Sequence, residues 1–206
     1  MGYRYVNQFK ACALIDYLRS IRPEQKNDFS FTSIQKYIGG KFQKLSEYTA
    51  LFLCTGDTMT EEYFINTIND GYITIPVFIM WLEPFGVAGH MVYINPDSLH
   101  RPVSINDAQT KLYIHNVINE AEYKNKDNHF TKRDAGCNGL YALYSDNDVL
   151  LMMSAFYPII NRLLAEPKES TCYRWVGNIR RIIQKGININ IEPDEISPGT
   201  IQDFPL

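Results

Sequence analysis

The sequence predicts an α+β fold, with helices toward both ends of the chain and a small antiparallel sheet between residues 72 and 106. Three patterns carry that expectation. Leu14, Tyr17, Leu18 and Ile21 recur at helical spacing near the start. At Tyr72 the period changes, and Ile73, Ile75, Val77 and Ile79 alternate among β-branched residues. Helical spacing returns after Asp107, with Leu112, Tyr113, Val117, Ile118 and Ala121 on one face. A chain of 206 residues is long enough for one well-buried domain and short for two. Hydrophobic residues make up 45% and charged residues 21%, which suits a globular protein rather than a disordered one. One domain over 1–206 is therefore expected, with a core to residue 110, a helical extension over 111–192 and an extended tail over 193–206.

Each element has its own signal. Cys12 opens the first helix and Pro23 ends it. Phe31 to Tyr37 reads as a short helix broken by Gly39-Gly40, and Phe42 to Cys54 as another. Thr58 or Thr60 caps the next, whose first turn holds Glu61 and Glu62. Its inner face is Phe64, Ile65 and Ile68, and Asn69-Asp70-Gly71 stops it. A strand then runs to Trp81, and Glu83-Pro84-Phe85-Gly86 makes a turn. Gly89 to Ile94 is the returning strand, Asn95 to Ser98 the next turn, and Pro102 to Ile105 a short third strand. Glu122 to Arg133 reads as a polar exposed loop. A long helix follows from Asp148 to Ala165, with a kink or break at Pro158, and a last helix from Tyr173 to Gln184.

Function classes narrow from the totals. The net charge is −3 with acids and bases mixed, so no basic patch favours nucleic acid. No apolar run reaches the roughly 18 residues of a membrane span. The first residues lack the apolar stretch of a cleavable signal peptide, so the expected location is cytoplasmic, or exported by another route. Cys12, Cys54, Cys137 and Cys172 lie far apart without a CxxC pair, so neither a zinc site nor any other metal or cofactor is expected. Oligomeric state is open.

One constellation carries chemistry. Cys12 at a helix start would have its thiolate favoured by unpaired amides and the helix dipole. His90 opens a strand and would take or give the proton, and Asp107, or Asn106, would hold its ring. Oxyanion donors would be the Cys12 amide and the side chain of Gln8 or Asn7. Taken singly, each has a plainer role: Cys12 as a small core residue, His90 as a satisfied surface histidine at a strand start, Asp107 as a turn or cap.

In order, Cys12, His90 and Asp107 resemble the papain-like cysteine peptidases, and most nearly the bacteriocin-processing peptidases. Asn69 to Met80 followed by Gly89-His90-Met91-Val92-Tyr93-Ile94 is similar to their strand, loop and histidine-bearing strand. Gly89-His90 before an apolar strand is also similar to papain-like amidase effectors that cleave peptidoglycan. The likeness spans about residues 5 to 110. It implies an N-terminal helix packed on an antiparallel sheet, and a thiol protease or amidase acting on a protein or peptide. A second order, His90-Asp107-Cys137, resembles ubiquitin-like-protein proteases and adenovirus-type proteases, with Cys137 as the alternative nucleophile. A third expectation is a non-catalytic binding or immunity-type protein, for which 14 tyrosines suit an interaction surface.

Overall fold

The structure is a computed structural model that describes residues 16, 19, 20, 24, 36, 42–104, 114–125, 130–133, 140–192 and 197–206. The chain divides into two compact units, 1–44 and 45–206, and the fold below is that of the second. Among the described residues the architecture is α+β: a five-stranded mixed sheet, a two-stranded ribbon and four α-helices.

The strands of the main sheet are β1 (Leu51–Leu53), β2 (Val77–Leu82), β3 (Ala88–Ile94), β6 (Thr171–Val176) and β7 (Ile201–Pro205), in that spatial order. β1 runs parallel to β2, and every other pairing is antiparallel. The ribbon joins β4 (Thr131–Arg133) to β5 (Leu140–Ala142). The helices are α1 (Thr58–Asn69), α2 (Glu120–Lys124), α3 (Asp146–Ala165) and α4 (Arg180–Ile183).

The hairpin β2–β3 is the centre, and its sequence explains it. β3 is buried along its whole length, so both faces of the sheet need cover there. One face carries Phe78, Met80, Met91, Tyr93 and Trp175, closed by Met152, Phe156, Ile160 and Leu163 of α3. Those four helical residues recur at spacings of four, four and three, which makes a single stripe. Each fully buried side chain of this kind contributes roughly 1.5–3 kcal/mol. By length and composition α3 would also pass as a membrane span, but its buried stripe lies against the sheet.

The inner face and the C-terminal stop of α1 match the sequence signals, with Phe64, Ile65 and Ile68 buried, but neither Thr58 nor Thr60 is its cap. Its cap is Asp57, whose side chain accepts from the Thr60 amide. α3 starts two residues earlier than expected because Ser145 and Asp148 form a capping box. Pro158 does not break it. The proline and Ser154, whose carbonyl loses a partner, both face solvent, where water can take the free acceptor.

Elsewhere the structure departs from expectation. Phe42–Glu47 is a 3-10 turn and Leu51–Leu53 a strand, in place of one helix. The third strand expected at 102–105 is absent from its described part, where Ser104 holds an isolated bridge. The helix expected over 173–184 is β6 followed by the short α4. Residues 201–205, in the expected tail, form the outermost strand. The sheet is thus completed from the C-terminal part of the chain and is mixed rather than purely antiparallel.

Candidate functional site

The register of the sheet sets the site. Trp81, His90, Arg174 and Gln202 are consecutive cross-strand partners on β2, β3, β6 and β7. Directly opposed residues share a face, so these four form one row across the sheet. The Trp81 ring stacks on His90, with centroids 4.8 Å apart and planes 14° from parallel.

His90 is 2% exposed, and its Nε2 lies 2.7 Å from Glu83 Oε1. An ionised carboxylate only accepts, so the pairing puts a proton on Nε2, and in the neutral ring Nδ1 then keeps its lone pair. Glu83 is also 2% exposed and holds more than the histidine. Its Oε1 accepts from the Val117 amide at 2.6 Å and its Oε2 from the Ile118 amide at 2.8 Å. The Tyr123 hydroxyl makes a longer contact of 3.4 Å to Oε2. Burial of that hydroxyl, then the charge of Glu83, pushes the Tyr123 pKa up, which keeps it a donor. Four donors thus surround one buried carboxylate.

The chain folds this way because the turn between β2 and β3 is held from several sides. Glu83 precedes a 3-10 turn, Pro84–Gly86, with extended φ and ψ. Phe85 has φ of 61°, a left-handed conformation that costs a bulky residue energy. Its amide donates to Leu143 O, and its carbonyl accepts from Arg181 Nη1 at 3.2 Å. Gly86, φ 64°, lies so close to Asp148 that a Cβ would collide with that side chain. Asp148 in turn pairs with Arg181 at 3.2 Å.

Beyond His90 the row continues into Arg174, 7% exposed. Its Nε and Nη2 donate to Gln202 Oε1 at 3.0 and 2.6 Å, and its Nη1 to His115 O at 2.9 Å. The guanidinium carbon sits 5.1 Å from the centre of the Phe204 ring. His115 stacks on the same ring at 3.8 Å. Burial lowers the His115 pKa, with Arg174 and then His90 adding to the shift.

Of the residues singled out in sequence, His90 alone is described. Cys12, Asp107, Cys137 and Gln8, with Asn7 and Asn106, lie outside the described residues. Among the described residues the carboxylate beside the imidazole is Glu83, on Nε2. The two described thiols are poor nucleophiles. Burial pushes Cys172 up to about 12. Cys54 is raised first by desolvation of its sulfur and then by the Glu61 carboxylate. Glu83 had a readable signal: it ends one strand of a hairpin whose return strand carries the histidine, which brings the two close. Tyr123 and Arg174 had none, since one fell in a charged loop and the other in an expected helix.

No known family model matches the chain, and no curated protein matches it in sequence.

Proposed function

We propose that the protein is a cysteine hydrolase or transferase acting on an amide bond, with His90 as the acid–base residue and Glu83 as the carboxylate that orients it. One observation carries this reading: the 2.7 Å contact that fixes Nε2 of a buried imidazole on a carboxylate and leaves Nδ1 to exchange a proton. The papain-like order of Cys12 and His90 supplies the rest. His90 Nδ1 takes the thiol proton of Cys12, the resulting thiolate attacks the carbonyl carbon, and the same proton passes from Nδ1 to the leaving nitrogen as the C–N bond breaks. Water then cleaves the thioester, or another amine takes the acyl group. Cys137 is the alternative nucleophile. The substrate class in this reading is a protein, peptide or cell-wall amide.

A second reading has an observation of its own. His90 is 2% exposed, and Glu83 spends two of its contacts on backbone amides, as a purely structural clamp would. That favours a non-catalytic binding or immunity-type protein.

Thiol-directed labelling at neutral pH, followed by mapping of the labelled peptides, separates the two. Fast labelling at Cys12 that is lost in His90→Ala supports hydrolysis. Fast labelling at Cys137 moves the nucleophile there. Uniformly slow labelling of all four thiols in the folded chain rejects the enzyme.

A further inference from the structure

Among the described residues the buried Arg174 guanidinium is held by neutral acceptors. Gln202 Oε1 takes two of its N–H groups and His115 O a third. An arginine carries five N–H donors, so two are left over. Among the described residues no carboxylate lies within 4.0 Å of it. Glu83 acts on Arg174 only from farther away, and its oxygens are taken by His90, Val117, Ile118 and Tyr123. Charges this deeply buried are ordinarily paired at contact distance. Here the fork is aimed and braced, with Phe204 beneath it, but not neutralised. Gln202, His115 and Phe204 around it are half-buried, as is Trp81 beyond His90, so the row reaches toward solvent along its rim.

We propose that Arg174 is an anion-binding residue and that it takes a carboxylate group of the substrate, beside His90. A planar monoanion fits the two remaining N–H groups of a guanidinium. A phosphate dianion would meet the negative charge of Glu83 and lose more hydration, so the smaller charge is preferred. As a statement about the substrate this rests on the hydrolase reading. As a statement about binding it does not.

Calorimetric titration of the full chain with sodium acetate and with inorganic phosphate, at constant ionic strength, tests it. Acetate should bind saturably at one site, more tightly than phosphate, and at least tenfold more weakly in Arg174→Gln. The decisive variant is Gln202→Glu, which places a carboxylate on the fork within the chain. By bringing a negative charge to the guanidinium it should raise the melting temperature and weaken acetate binding at least tenfold, and it serves even where Arg174→Gln fails to fold. Absence of saturable acetate binding to the unaltered chain overturns the proposal. So does phosphate binding as tightly as acetate, or a Gln202→Glu variant that binds acetate like the unaltered chain. Failure of the hydrolase reading would appear instead as unreactive thiols, with the acetate isotherm intact.

Discussion

Replacing Glu83 by glutamine tests the centre of the site, because it keeps the shape and removes the charge. The carboxylate accepts from His90 Nε2 at 2.7 Å, Val117 N at 2.6 Å and Ile118 N at 2.8 Å, with Tyr123 at 3.4 Å. An amide has one oxygen and one NH2 group, so in either orientation a donor meets donors. If its oxygen keeps His90 and Val117, its NH2 faces the Ile118 amide and the Tyr123 hydroxyl. A hydrogen bond to a charged group contributes about 1.5–3 kcal/mol, and a buried donor left without a partner costs about 1–3 kcal/mol. Breaking a buried charged pair from one side costs about 3–5 kcal/mol, which is the loss expected here. Against a total of roughly 5–15 kcal/mol, the variant should fold but sit near its limit. For a chain of this length that corresponds to a melting temperature lower by roughly 10 °C. The assay is guanidinium unfolding followed by tryptophan fluorescence, where the midpoint should fall at unchanged slope. Amide exchange at Val117 and Ile118 should rise together. A loss below about 1 kcal/mol, about one ordinary hydrogen bond, would refute the clamp.

Other outcomes follow from the same packing. A Cβ on Gly177 would run into the backbone carbonyl of Gly86, whereas one on Gly89 meets the flexible end of Met152. Gly177→Ala should therefore lower the melting temperature several-fold more than Gly89→Ala. His115 has a folded pKa below its ordinary 6.5, so the unfolded chain binds a proton that the folded chain refuses. Its contribution is complete above that value and is lost as pH falls through it, so the melting temperature should drop between about pH 7.5 and 5.5. The drop should be shallower in His115→Gln. Cys172, raised to about 12 by burial, should resist alkylation at pH 8 until the chain is unfolded in denaturant. Rapid labelling of native Cys172 would mean that β6 opens locally.

The residues by themselves determined only some of the local elements. The hairpin β2–β3 is written in two apolar runs on either side of a Pro-Phe-Gly turn, and α1 in an apolar stripe ending at Asn69-Asp70-Gly71. The stripe of Met152, Phe156, Ile160 and Leu163 fixed α3, because a period of 3.6 needs no knowledge of what covers it. His90 stood out for its chemistry alone. Pairings between distant segments were not legible. Thr171-Cys172-Tyr173-Arg174-Trp175-Val176 is short, and its residues would serve a helix or a strand; β3, lying beside it with open hydrogen bonds, decided for a strand. The parallel pairing of β1 with β2 and the docking of β7 on β6 are likewise long-range contacts. Tertiary structure also decided the site. Glu83 looked like a turn residue until the amides of Val117 and Ile118 converged on it, and Arg174 met His90 only through the register of two strands. Local sequence carries a segment's own period, but the partner of a buried charge lies wherever the fold brings a counterpart, and no spacing rule records that.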